Sequence, residues 1–136
     1  MNQIIIDSKD QHLQKWVANI LEIKQGFSPG QALGVMRHDK LIAAVVYHDF
    51  RGNQIEASIA SISKFWATKP ILRALFSYPF IQLKVNRMLV LCAEDNAKAM
   101  KMNKQLGFTK EGRLRGLFDK SDGILWGMLK NERKFI

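Results

Sequence analysis

The sequence contains one cysteine and no long apolar run. A single thiol, Cys92, excludes an intramolecular disulfide, so we expect a reducing, cytoplasmic compartment. Residues 1–6 carry no basic side chain, and their apolar run is far too short for a secretory signal peptide. No apolar run approaches the roughly 18 residues that a membrane helix needs, so we expect no membrane partner. The 136 residues suit one domain, which we place over residues 1–136.

Acidic residues are too few to balance the basic ones in the second half of the chain. Residues 1–68 hold seven Lys or Arg and six Asp or Glu, whereas residues 69–136 hold fourteen and six. Such an excess indicates nucleic acid or a phosphorylated cofactor as partner, unless the lysines only keep the protein in solution. No nucleic-acid motif accompanies the densest basic group, so a nucleic-acid binder is only an alternative. That group comprises Lys98, Lys101, Lys104, Lys110, Arg113 and Arg115.

The first half of the chain predicts a strand, a helix and an antiparallel meander. Residues 3–6 form a short apolar run typical of a strand. Ser8 and Gln11 have the spacing of a capping box, and apolar residues follow from Leu13 to Leu21 at helical intervals. Three runs of strand composition come next, separated by turn-like residues of hairpin length. They span residues 32–37, 41–48 and 55–62.

The second half predicts two helices and three strands. Thr68 has the character of an N-cap and Pro70 lies in the first turn, where its missing N–H costs nothing. Pro79 then interrupts or kinks this helix. A continuous apolar run over residues 87–93 is typical of a central strand buried on both faces. A helix over residues 96–106 and two strands, 108–118 and 124–129, complete the order β-α-β-β-β-α-β-α-β-β.

The helix over residues 96–106 resembles the fourth helix of the GNAT acyl-CoA N-acyltransferases. That family's pattern is Asn-x-x-Ala-x-x-apolar-Tyr-x-x-Leu-Gly-Phe, and this sequence matches it at every position but one, where Asn103 replaces Tyr. The segments around residues 111–115 and 127–132 also look like a small branch of bacterial and phage members. The matching residues are Asn96, Ala99, Met102, Leu106, Gly107 and Phe108.

The resemblance implies an α/β (α+β) fold with a mixed, mostly antiparallel twisted sheet of about seven strands flanked by helices. It also implies acetyl-CoA as cofactor, with the pantetheine arm between the splayed fourth and fifth strands. Asn96 would bind that arm, and Asn103, two turns further on, would face the same channel. The usual glycine-rich phosphate loop is absent from residues 63–69, where Phe65 and Trp66 would be core or pack against the adenine or the substrate entrance. The other cofactor-binding candidates are Ile62, Lys64, Thr68 and Lys69.

Acetyl transfer needs a base for the amine and a proton for the leaving thiolate. We assign Glu56 as the candidate base and Asn103 as the group beside the sulfur, although an amide cannot supply the proton that the family's Tyr supplies. Leu91 occupies the position of a Glu base found in some members. Glu94 and His48 are further candidates. The histidines show no metal spacing, so we expect no metal, and we expect Cys92 to be inert core.

The sequence therefore predicts an acetyl-CoA-dependent N-acetyltransferase that acts on a primary amine of a protein or small molecule. The alternative is a GNAT-fold protein with weakened or lost catalysis that serves as a binding or structural component, such as a phage component. Asn103 and Leu91 keep that alternative open. A homodimer is also possible, with Trp126 and the final strand as the candidate pairing surface.

Overall fold

The computed structural model describes residues 2–9, 11–27 and 29–135. Within these residues the strands and α-helices follow the order predicted from the sequence. None of the described helices has the length and apolar character needed to cross a membrane. The elements are β1 (Asn2–Ile6), α1 (His12–Leu21), β2 (Gln31–Arg37), β3 (Lys40–His48), β4 (Gln54–Ser61), α2 (Lys69–Ser77), β5 (Arg87–Ala93), α3 (Ala97–Leu106), β6 (Thr109–Leu114) and β7 (Gly123–Leu129).

The described strands form one seven-stranded sheet in the order β1-β2-β3-β4-β5-β7-β6. Neighbouring strands are antiparallel except for β4 and β5, which are parallel. The predicted meander of the second, third and fourth strands is confirmed. Its first turn needs only His38 and Asp39, both with positive φ, which is the backbone geometry of a two-residue hairpin turn. The sheet is therefore mixed and mostly antiparallel, as predicted.

The final strand lies inside the sheet rather than at its edge. β7 pairs with β5 along its whole length and with β6 over residues 123–127, so both hydrogen-bonding edges around Trp126 are occupied. Trp126 is buried, with 4% of its surface exposed. The expectation that Trp126 and the final strand pair with another subunit is therefore wrong, because neither is available at the surface.

The helices cover the two faces of the sheet unequally. Alternate residues of a strand point to opposite faces, and on β3 Ala44 and Val46 pack with α1, whereas Val45 and Tyr47 pack with α2. Leu106 of α3 belongs to the same core as α2. The face that α1 covers at β2, β3 and β4 is the face that carries the even-numbered side chains of β4, including Glu56.

The residues that begin and end α3 are those predicted from the sequence, whereas the predicted cap of α1 differs from the observed one. The Asn96 side chain accepts a hydrogen bond of 3.1 Å from the Ala99 N–H, and Gly107 ends the helix with φ of 104°. The predicted capping box of Ser8 and Gln11 is wrong. Instead, Asp7 Oδ1 accepts the Leu13 N–H at 2.8 Å, because Gln11 adopts a left-handed conformation that turns the chain before the helix. The actual cap thus lies one residue earlier than the expected one.

The end of α2 depends on a contact from the sheet. The α-helix stops at Ser77 and continues as a wider helical turn, Tyr78–Gln82, that contains Pro79. Because proline has no N–H, Pro79 cannot donate to the carbonyl of Leu75, four residues earlier. The buried hydroxyl of Tyr47 donates to that carbonyl instead, at 2.6 Å. Burial also raises the pKa of Tyr47, so the phenol stays protonated as a donor.

Candidate active site

The central feature of the site is an opening between the two parallel strands. β4 and β5 pair only over residues 54–56 and 87–89, and the described residues 57–61 and 90–93 form no pairs with each other. Because the strands are parallel, both carboxyl ends lie at the same edge of the sheet. A lysine from α3 reaches across this opening, since Lys98 Nζ donates to the Ser61 carbonyl at 3.3 Å. The result is a cleft with main-chain polar groups along the β4 side.

Two helix N-termini stand at the open end of the cleft. α2 begins at Lys69, shortly after β4, and α3 begins at Ala97, shortly after β5. Unpaired amides and the helix dipole make such ends favourable for phosphate. Thr68 is the N-cap of α2, as predicted, but its hydroxyl makes no hydrogen bond to the helix. The candidates around this end are all exposed: Ile62, Lys64, Thr68 and Lys69.

The segment over residues 63–69, which contains no glycine, is anchored by the buried Trp66. Residues Lys64–Trp66 form one turn of 3₁₀ helix, which Ser63 caps by accepting the Phe65 N–H at 3.2 Å. Trp66 is part of the core, whereas Phe65 is exposed under the guanidinium of Arg37, 5.0 Å from the ring centre. The two aromatic residues therefore have different roles. Trp66 anchors the segment, and Phe65 forms part of the surface.

The two asparagines of α3 lie in different environments. Asn96 is exposed at the helix N-terminus, whereas Asn103 is buried, with 3% of its surface exposed. Asn103 lies beside Cys92 of β5, where burial raises the pKa of the thiol and a hydrogen bond with Asn103 opposes that shift. The Cys92 sulfur is also 3.5 Å from the sulfur of Met100. Asn103 thus lies in the core beside Cys92, whereas Asn96 lies at the surface.

Glu56 lies where the paired part of the two strands ends. It forms the last pair of the parallel ladder, opposite Leu89. Its side chain is half-buried, with 20% of its surface exposed. Burial raises the pKa of the carboxyl, an effect that the nearby His48 opposes and the charge of Asp49 reinforces. A carboxyl with a raised pKa is a stronger proton acceptor than an exposed one, which suits general base catalysis.

His48, one of the further candidates from the sequence, is buried beside Glu56. His48 Nδ1 lies 2.7 Å from Asp49 Oδ2, and its Nε2 lies 2.9 Å from Ser58 Oγ and 3.7 Å from Glu56 Oε2. Phe27 packs against the imidazole with a distance of 4.9 Å between ring centres. The signal that could have identified this group is the register of β3 against β4, which sets His48 directly opposite Glu56.

The same group has the composition of a metal site but not its geometry. His48, Asp49 and Glu56 each offer a ligand atom within 4.8 Å of the others. However, Asp49 approaches Nδ1 of the imidazole and Glu56 approaches Nε2. The two nitrogens of an imidazole point in different directions, so neither ring nitrogen is directed at both carboxylates.

The remaining candidates lie elsewhere at the cleft. Glu94 forms an ion pair with Arg113, which also contacts Asp122 at 3.3 Å. Arg113 therefore has two acidic partners, and Lys98 reaches Ser61, so the basic group is divided among separate contacts. Leu91 is half-buried and points away from α3, on the face opposite to Cys92.

The sheet order, the parallel central pair and the cleft between those strands define a class of protein, and the chain has the fold of the GNAT acetyltransferases. The fold implied by the sequence resemblance is confirmed. No family model matches the sequence. No curated protein matches it either.

Solved structures with this fold include several acetyltransferases. A protein described as a probable acetyltransferase superposes with a TM-score of 0.66 at 23% identity; the alignment covers 77% of this chain but only 64% of that one. The GNAT-family acetyltransferase from Bacillus anthracis gives 0.70 at 14% identity over 96% of both chains. A dodecameric spermidine N-acetyltransferase from Vibrio cholerae gives 0.75 at 15% identity, over 96% of this chain and 94% of that one.

Proposed function

We propose that this chain is an acetyl-CoA-dependent N-acetyltransferase that transfers an acetyl group to a primary amine. The observation that carries the proposal is the cleft between β4 and β5, with Glu56 at its closed end. An extended ligand arm fits such an opening, because the main chain of β4 beyond Glu56 has no strand partner on that side. The acetyltransferases that share the fold support the same conclusion.

The cofactor would be held by residues from both sides of the cleft. Ile62 follows β4 and would contact the arm, while Lys64, Thr68 and Lys69 would bind the phosphates at the N-terminus of α2. Asn96 Oδ1 is already used by the Ala99 N–H, so its amide nitrogen is the group left to donate to the arm. The residues present therefore fit coenzyme A.

The chemistry follows from two side chains at opposite sides of the cleft. Bound there, acetyl-CoA supplies a thioester. Glu56 accepts the proton that the amine loses, and its half-buried position favours that role. Asn103 approaches the sulfur side as a neutral amide, which orients but does not protonate. The proton of the leaving thiolate then comes from solvent in the cleft.

The acceptor, the assembly and the compartment belong to the same proposal. A primary amine arrives on the Glu56 face, which α1 covers at β2, β3 and β4. Spermidine N-acetyltransferase, which shares the fold, acts on a small amine and is dodecameric, and this supports a small-molecule amine and self-association, such as a homodimer. Cys92, the only cysteine, supports a reducing cytoplasm.

One observation favours the second candidate function, a binding protein without efficient catalysis. Asn103 occupies the position of the usual acid and is buried in the core. In that case the cleft would still bind coenzyme A, and catalysis would be absent.

Thermal denaturation with ligands tests the proposal. Acetyl-CoA at about 100 times its Kd should stabilise the protein by about 2.7 kcal/mol, and desulfo-CoA should act nearly as well. Acetylation of an amine panel then separates the enzyme from the binding protein. A larger thermal shift with duplex DNA, and none with coenzyme A, would make the nucleic-acid alternative correct.

A further inference from the structure

His48 is the one histidine among the described residues that is buried, and its two ring nitrogens face different groups. Asp49 Oδ2 lies 2.7 Å from Nδ1. On the other side of the ring, Ser58 Oγ and Glu56 Oε2 lie 2.9 Å and 3.7 Å from Nε2. The imidazole therefore lies within ion-pairing distance of two carboxylates, those of Asp49 and Glu56. The ring joins a surface carboxylate to the half-buried candidate base.

Hydrogen-bond chemistry fixes the proton on one nitrogen. An ionised carboxylate only accepts hydrogen bonds, so the contact with Asp49 requires a proton on Nδ1. In the neutral ring Nε2 is then an acceptor, which suits donation from the Ser58 hydroxyl. Glu56 Oε2 lies 3.7 Å from the same nitrogen, and two acceptors at this distance repel each other unless one of them takes up a proton. His48 Nε2 and Glu56 Oε2 can therefore bind one proton between them.

We propose that His48 is a positioning residue that shares one proton with Glu56: Asp49 fixes the Nδ1–H tautomer, and Nε2 takes up the proton that Glu56 removes from the amine. This proposal rests on the proposed function for the role of Glu56 as base. The proton moves from Glu56 Oε2 to His48 Nε2, which leaves Glu56 ionised beside an imidazolium. It later leaves from the same nitrogen to water in the cleft, so the ring returns to its starting tautomer.

Burial strengthens the electrostatic interaction between Glu56 and His48. Glu56 and His48 have side-chain exposures of 20% and 7%, so solvent screens their interaction only weakly. When it is protonated, His48 acts against the rise that burial imposes on the pKa of Glu56. Asp49 is half exposed, with 54% of its side-chain surface accessible, and it holds the ring without burying a further unpaired charge. Phe27 limits rotation of the ring from the other side.

NMR of the free protein tests the pairing without any activity. With labelled histidine and glutamate, the wild type should show His48 as the Nδ1–H tautomer when neutral. In His48→Gln the Glu56 carboxyl should titrate at higher pH, because the opposing positive charge is gone. The matched control is His12→Gln, a histidine at the start of α1 that lies 3.5 Å from Asp7, which should leave the Glu56 titration unchanged. An Nε2–H tautomer, or an unchanged Glu56 titration in His48→Gln, overturns the proposal.

Kinetics add the functional readout. In His48→Gln, kcat for acetylation should fall roughly tenfold, a change of about 1.4 kcal/mol, with KM for acetyl-CoA unchanged. The acidic limb of the rate profile should move to higher pH, which a merely structural role would not cause. Should His48→Gln fail to fold, Asp49→Gly removes the acceptor at the half-exposed position, where φ is 54°, and should instead release the tautomer; persistence of pure Nδ1–H there contradicts the proposal. A wild type that shows the Nδ1–H tautomer and a Glu56 titration dependent on His48, but forms no product, disproves the acetyltransferase function and leaves the proton pairing established.

Discussion

Glu56 of β4 and Leu89 of β5 form the last residue pair before the two parallel strands separate. This relationship gives the protein its cleft and sets a carboxyl at the closed end of that cleft. Because the strands diverge beyond this pair, main-chain groups of β4 are available to a ligand, while the paired part keeps Glu56, the proposed base, in a fixed position.

Asn96 combines a structural role with a proposed binding role, and two substitutions separate them. Asn96→Ala removes the cap of α3 and should cost about 1 kcal/mol of unfolding free energy. It should also weaken coenzyme A binding by roughly 0.5–1.5 kcal/mol, the contribution of one hydrogen bond. Asn96→Ser keeps a capping oxygen but lacks the amide nitrogen, so binding should weaken while stability is retained. Calorimetric titration and denaturant unfolding measure both; unaltered binding in both variants would remove Asn96 from the cofactor site.

Asn103 occupies the position where the family usually has an acid. Asn103→Tyr should raise the maximal rate of acetylation, because a phenol can protonate the leaving thiolate. The larger ring should also destabilise the protein by about 1–3 kcal/mol, since Asn103 is buried. Asn103→Phe is the matched control with the same bulk and no hydroxyl. Equal rates in the two variants would mean that the Asn103 side chain does not face the sulfur.

Glu56 should make stability depend on pH in a defined direction. Its folded-state pKa is raised, so the folded protein binds the proton more tightly than the unfolded chain, and stability falls as pH rises through the folded pKa. Glu56→Gln removes this dependence, so the variant should gain stability relative to the wild type at neutral pH and show no gain in acid. Denaturant unfolding at several pH values measures the difference.

The same variant should lose acetylation activity, because an amide cannot accept the proton of the amine. Glu22→Gln makes the same change of carboxylate to amide at the exposed end of α1. This control variant should keep the wild-type rate. Full activity in Glu56→Gln would show that another group is the base.

Tyr47 provides a test of the core that supports the β4 side of the cleft. Tyr47→Phe leaves the Leu75 carbonyl without its donor and should cost about 1–3 kcal/mol. Tyr78 packs against the same ring at 4.8 Å and is only half-buried, so Tyr78→Phe should change stability by less than about 0.5 kcal/mol. Thermal or denaturant unfolding distinguishes the two. Similar effects of both substitutions would show that the hydroxyl of Tyr47 is not needed to end α2.

The sequence by itself determined the features that depend on neighbouring residues. The order of elements, the helix from Asn96 to Gly107 and the core strand around Cys92 all follow from local periodicity and capping, which act within a few residues. The pattern around Asn96 was also sufficient to indicate the GNAT fold. Pro79 signalled the end of α2 for the same reason, since its missing N–H acts over one helical turn.

Only the tertiary structure decided which distant residues meet. The pairing of His48 with Glu56 depends on the register of β3 against β4, and the burial of Trp126 depends on β7 entering between β5 and β6. Neither the register nor the strand order can be predicted from a local sequence pattern. A strand can pair on either edge and in several registers until the whole core is packed. The hydroxyl of Tyr47 reaches Leu75, 28 residues away, for the same reason. Long-range packing therefore brought His48 and Glu56 together from segments whose local sequence marks only strands and turns.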